Sequence, residues 1–162
     1  MFYATLCFLE ICGRGYDMEL VIKHFSELTN IELYEILQVR VAVFVLEQNC
    51  AYQEVDGKDI DAIHVYLKDE TGIQAYCRVL AAGVSYKEAS IGRVLTLRRR
   101  SGLGEEILSA SIQVARDSLN ANSIRIGAQA YAKAFYEKLG FKQASSEYLE
   151  DDIPHIEMLL EL

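Results

Sequence analysis

Proline is almost missing from this chain: Pro154 is the single one in 162 residues. Together with 51% hydrophobic and 25% charged residues, that scarcity describes an ordered globular chain, long enough to bury a core in one domain. Basic charge is also short. Sixteen Lys and Arg stand against 24 Asp and Glu, for a net charge of -8. That balance argues against nucleic acid as the main partner and is compatible with a cationic small molecule or amine. The four cysteines, Cys7, Cys12, Cys50 and Cys77, include no Cys-x-x-Cys pair, and no histidine cluster accompanies them. Zinc and redox chemistry are disfavoured, and a reduced, cytoplasmic setting is expected. Asp56, Asp59 and Asp61 lack the glycine turn and terminal glutamate of a calcium loop, so no metal is expected. The apolar stretch MFYATLCFLEIC is too short to span a bilayer, carries Glu10 and has no basic leader, so no membrane role is expected. Met18 opens a cleaner pattern. Residues 1–17 read either as an extension preceding a domain of 18–162 or as an added edge strand.

The patterns present alternate between the two regular periods. Glu19 to Phe25 reads as a strand. Thr29 or Asn30 caps a helix whose stripe is Leu33, Tyr34, Leu37, Val41 and Phe44. A polar loop, EQNCAYQEVDGKDID, follows. Ile63–Lys68 and Ile73–Ala82 form a hairpin around Asp69–Gly72, and Ile91–Leu97 is a further strand. A helix then runs from about Gly102 to Leu119 with Leu103, Ile107, Ala110 and Val114 on one side. Ser123–Ala128 is a strand and Tyr131–Leu139 a helix ended by Gly140; Phe141–Tyr148 and Ile156–Leu160 are two closing strands. The fold class is α/β (α+β): a mixed central sheet flanked by helices in a single domain.

One turn carries chemistry. Arg98, Arg99 and Arg100 run into Ser101-Gly102-Leu103-Gly104 between a strand and a helix. The first amides of a helix lack internal partners and carry the positive end of its dipole, so such a turn suits an anion. No Lys-Ser/Thr follows, which excludes a P-loop, and the third glycine of the dinucleotide fingerprint is missing.

The remaining pattern, Arg-x-x-Gly-x-Gly from Arg99 to Gly104, resembles the pyrophosphate loop of the GNAT superfamily of N-acyltransferases. GAQAYAKAFYEKLGF, Gly127 to Phe141, resembles the second cofactor segment of that family, with Gln129 at the position of its polar amide and Tyr136 at that of its tyrosine. LYEILQVRVAVFVLEQNCAYQEVDGKDID, then His64, AYCRVLAAG, IGRV and EYLEDDIPHIEM, are similar to the ElaA-type branch, so the resemblance spans about residues 20 to 160. Related sequences carry about two more residues, often with a proline, between IGRV and the arginines; here Leu97 runs straight into Arg98.

The resemblance implies a GNAT-like fold and acetyl transfer from acetyl-CoA, as co-substrate, to a primary amine of a small molecule or peptide. A homodimer is compatible with it. It implies coenzyme contacts from Val94, Leu95, Thr96, Arg99, Arg100, Ser101, Gly102, Leu103, Gly104 and Gln129. It makes Tyr136 the proton donor to the leaving thiolate. On the acceptor side it points to Glu47, Glu54, Asp56, His64 and His155, with the general base left open. Two other readings stand beside it: a non-catalytic acyl-CoA-binding or sensor module, and a nucleotide-binding protein, against which the missing P-loop lysine argues.

Overall fold

The computed structural model describes residues 17–162, so residues 1–16, and with them the expected extension, lie outside it. The chain begins with β1 (Glu19–His24) and α1 (Asn30–Arg40), which runs on into a wider π-helical turn, Val41–Glu47. Next come β2 (Ala62–Asp69), β3 (Gly72–Leu80), β4 (Ala89–Thr96) and α2 (Leu103–Leu119). The chain closes with β5 (Ser123–Gln129), α3 (Lys133–Lys138), β6 (Lys142–Gln143), β7 (Tyr148–Glu150) and β8 (Ile153–Glu161). The strands form one eight-stranded sheet in the order β1-β2-β3-β4-β5-β8-β6, with β7 also paired to β8. Every pair is antiparallel except β4 with β5.

Helices cover both faces. On one, α2 sets Ile107, Leu108, Val114 and Ala115 against Val65, Ala75, Cys77, Ile124 and Ile126. On the other, Ile36 of α1 packs with Val21, Tyr66, Tyr76 and Leu95. Strands covered on both sides read as unbroken apolar runs, which is how β2 is buried over its first six residues. Helix α1 starts where Thr29 accepts from the Glu32 amide while Glu32 reaches back to the Thr29 amide, a capping box.

Two sequence expectations change. The α1 stripe has a different phase: Tyr34 is 69% exposed and Val41 37%, while Ile36 and Arg40 are the fully buried positions. A charged residue occupies the inward position, so apolar periodicity points to the wrong face. The expected strand Phe141–Tyr148 is two short strands on either side of Ser145. The Ser145 hydroxyl accepts the Glu157 amide at 2.9 Å, taking a bond that a backbone carbonyl would otherwise make, and the ladder is interrupted there.

Candidate active site

Strands β4 and β5 are joined only at Ala89↔Ile124 and Ser90↔Arg125 and then part company. Beyond that point the backbone edges facing the gap have no ladder partner. On its other edge β4 carries a bulge, because Arg93 and Val94 together oppose Cys77 of β3 between the pairs Arg78↔Gly92 and Tyr76↔Leu95. Arg93 takes a left-handed φ of 54° there. The Leu97 amide donates to Gln74 at 2.8 Å, so strand alternation turns the Thr96 amide the opposite way, toward the gap. A cleft of about 540 Å³ opens on the α1 side of the parting strands, bordered by Gly92, Val94, Gly127 and Gln129.

The glycine turn sits at the mouth of this gap. A Cβ on Gly104 would stand 3.4 Å from the Phe135 ring and 3.8 Å from Cγ2 of Thr96, so α2 begins wedged between the end of β4 and α3. Gly102 precedes the helix with φ 89°, a conformation that favours glycine. Ser101 donates to the Arg98 carbonyl at 2.6 Å and closes the tight connection that the short spacing demanded. Of the three arginines, Arg98 pairs with Asp69 at 2.7 Å, Arg99 with Glu47, and exposed Arg100 sits at φ 59°. Leu95 and Leu103 turn their side chains into the two cores, which leaves only their backbone for a ligand.

Tyr136 and Gln129 reach the cleft from α3 and from the end of β5. Tyr136 is gripped edge-on by Phe135 and Phe141, with ring centroids 5.1 Å and 5.9 Å away. Burial pushes its hydroxyl well above the ordinary tyrosine range, so it is protonated at neutral pH. Gln129 donates to Gln48 at 3.2 Å, joining the β5 end to the turn after α1.

The expected acceptor residues separate. Glu47 pairs with Arg99 beside the glycine turn. Glu54, Asp56 and Asp59 are bound into a cluster with three arginines. Arg40 donates to Glu54 at 2.8 Å and to Asp59 at 2.6 Å; Arg78 donates to Asp56 at 2.7 Å and to Asp59 at 3.0 Å; Arg93 donates to Glu54 at 2.7 Å. Burial opposes ionisation of Asp56, yet the Arg78 hydrogen bonds prevail and hold it well below the usual carboxylate range. Within this cluster three acids and three arginines balance one another.

His64 is fully buried in the core and does not border the cleft. Its Nε2 meets the Asp59 carbonyl at 3.1 Å and must donate, so Nδ1 accepts from the Tyr76 hydroxyl at 2.8 Å. Burial and the nearby arginines lower its pKa, which makes it a neutral structural ring and not an acceptor contact. His155 does border the cleft. Its Nδ1 donates to the Ile153 carbonyl at 2.8 Å, so in the neutral ring Nε2 keeps a lone pair.

Sequence reasoning missed the tyrosines that gather over Gly127. Tyr86 and Tyr148 bring their hydroxyls over Gly127, 3.1 Å and 3.3 Å from where its Cβ would stand. Burial, then the carboxylates Glu157 and Glu150, raise the Tyr86 phenol; burial, then Tyr86 and the same two carboxylates, raise Tyr148 to about 12. Lys58 also borders the cleft and donates to the Ser85 hydroxyl, next to Tyr86, at 3.0 Å. A lone tyrosine in GVSYKEAS carries no signal of this; the glycine inside strand β5 was the available clue.

Comparison with known proteins agrees with this geometry. The family model for the acetyltransferase (GNAT) domain matches residues 81–162. Protein ElaA of Escherichia coli is 36% identical over 143 residues, covering 86% of this chain and 94% of its own. A UPF0039 protein of Schizosaccharomyces pombe is 37% identical over 150 residues, covering 90% and 99%. The crystal structure of E. coli ElaA superposes with a TM-score of 0.82 at 35% identity, over 89% of this chain and 99% of that one. An acyl-CoA N-acyltransferase from Pseudomonas aeruginosa gives 0.81 at 39% identity, over 87% and 98%. The chain is therefore an ElaA-type member of the GNAT family of acyl-CoA-dependent acyltransferases.

Proposed function

We propose that the protein transfers an acetyl group from acetyl-CoA to a primary amine, on a small molecule or a peptide, by direct attack. The observation that carries this reading is the parting of β4 from β5 with the start of α2 at its mouth. An extended, amide-bearing arm fits beside the free edge of β4, and its anionic end meets the amides following Gly102. Val94, Thr96 and Gln129 supply polar backbone or side-chain groups along the way.

The amine must be neutral to attack, and a lysine-like ammonium has a pKa of about 10.4. Nε2 of His155, which borders the cleft and keeps a lone pair in the neutral ring, takes its proton, directly or through water. As the C–N bond forms, the carbonyl oxygen gains charge beside the backbone at the β4 bulge. As the C–S bond breaks, the Tyr136 hydroxyl gives its proton to the sulfur and is reprotonated from solvent. Atoms balance: one amine hydrogen leaves, one thiol hydrogen is gained.

The test is incubation with acetyl-CoA and a mixed amine library, read by free-thiol release and by mass spectrometry of products. N-acetylated products formed only with protein and thioester together are expected. Coenzyme binding without product from any amine would instead favour a sensor module.

A further inference from the structure

We propose that Glu54 and Arg93 form a clamp that sets the β4 bulge, which makes Arg93 a positioning residue for the thioester carbonyl; this rests on the acyl-transfer reading above. Arg93 is held at φ 54°, a region that side chains other than glycine rarely adopt. Such a conformation persists where the surroundings over-determine it. Here they do so on three sides. Arg93 Nε donates to Oε1 of Glu54 at 2.7 Å, and Nη2 donates to the Glu54 carbonyl at 3.0 Å and to Asp56 at 3.4 Å. The guanidinium also lies 5.7 Å from the centroid of the Tyr52 ring.

Glu54 cannot drift. Its side chain is 3% exposed, and fully buried Arg40, at the end of α1, donates to the same Oε1 at 2.8 Å. One carboxylate oxygen thus ties the bulge to the last residue of α1. The consequence lies one residue further on. Val94 borders the cleft, and the peptide bearing its N–H follows Arg93 directly. Returning Arg93 to ordinary backbone angles would swing that peptide away. The clamp fixes the backbone dipole before charge develops on the carbonyl oxygen, so no reorganisation is needed during the reaction.

The fit of Arg93 to this task differs from that of a residue touching the amine. Its side chain is 20% exposed and borders the cleft, but its Nε and Nη2 are taken up by Glu54 and Asp56. Removing it leaves Glu54 with Arg40, so the core cluster keeps a partner for the buried carboxylate. Glu54→Gln is the harsher variant, because it disturbs Arg40 as well.

The experiment compares the full chain with Arg93→Gly, Arg93→Met and Glu54→Gln. Glycine accepts the left-handed angle but supplies no clamp; methionine supplies neither. Three quantities are read: coenzyme Kd by calorimetry, kcat and acceptor KM, and the infrared carbonyl band of bound acetyl-CoA carrying a 13C carbonyl, without acceptor. Coenzyme Kd and acceptor KM are expected to stay within about threefold while kcat falls about tenfold or more. In the parent the bound carbonyl band stands below its free frequency, and in each Arg93 variant it returns toward the free value. An acceptor KM that rises with kcat intact would overturn the proposal by making Arg93 an acceptor contact. So would an unmoved band, or activity lost only in step with melting temperature. Because the band is read without turnover, a parent that transfers no acetyl group would sink the acyl-transfer reading separately from the clamp.

Discussion

Gly104 faces the ring of Phe135 across a space that one Cβ would fill, 3.4 Å from Cζ. The sequence suggests that this glycine lets an anion approach the turn. A Cβ here would point at α3 and Thr96 and make ordinary contacts, so packing at this position has room for a methyl group but not for a larger side chain. Gly104→Ala is expected to fit at ordinary contact distance and to retain coenzyme affinity. Gly104→Val adds methyls where Phe135 already lies; overpacking of that kind costs about 1–3 kcal/mol. Calorimetry and thermal melting of the two variants separate the cases, and a valine variant with the parent's affinity and stability would refute the packing argument.

Much of the fold is legible in the sequence because β2 and β3 are apolar-rich runs bounded by a turn, β5 alternates and helix α2 keeps its period. The turn from Arg98 to Gly104 is legible for a local reason: the need for unpaired amides and a left-handed residue is met within a few positions. The acceptor side is not. Glu54 and Asp56 read as free acids, because sequence cannot show that Arg40, Arg78 and Arg93 converge on them from a helix and two strands. The same cluster hides the phase of α1, since it places Arg40 where an apolar residue would be expected.

The two phenols above Gly127 lead to a second expectation. Gly127→Ala would place a methyl within 3.1 Å of the Tyr86 hydroxyl and 3.3 Å of the Tyr148 hydroxyl. Both lie at the ends of side chains that can move, so stability should change by no more than about 0.5 kcal/mol, as for a surface substitution. Acceptor KM should rise several-fold with coenzyme Kd unchanged. Unaltered acceptor kinetics would place the acceptor elsewhere in the cleft.

Acid should loosen the cap of α1. Glu32 accepts from Lys23 at 2.6 Å, from Tyr66 at 2.8 Å and from the Thr29 amide at 2.8 Å. Burial pushes the other way, but these bonds lower its pKa from 4.5 to about 2. A depressed folded-state pKa means stability that is fully present above 4.5 and lost as pH falls toward 2. Urea melts of the parent should weaken through that window, and Glu32→Gln should be less stable at pH 7 with a flatter acid limb. Equal slopes in the two proteins would remove Glu32 from the acid response.

His155 makes a claim about protons. With His155→Ala, turnover of a lysine-like amine should fall about tenfold or more near pH 7. It should recover as pH rises toward about 10, where the amine deprotonates unaided. A variant whose rate keeps the parent's pH dependence would show that water alone takes the proton.

Tyr136→Phe bears most directly on the proposed transfer. The phenylalanine ring keeps the edge-on contacts to Phe135 and Phe141 and removes only the hydroxyl. Turnover at saturating acceptor and coenzyme Kd are measured together across a pH series. Turnover should fall by roughly ten-fold to a thousand-fold, with Kd and melting temperature nearly unchanged. Full activity in Tyr136→Phe at every pH would contradict the assignment of this hydroxyl as the donor to the leaving thiolate.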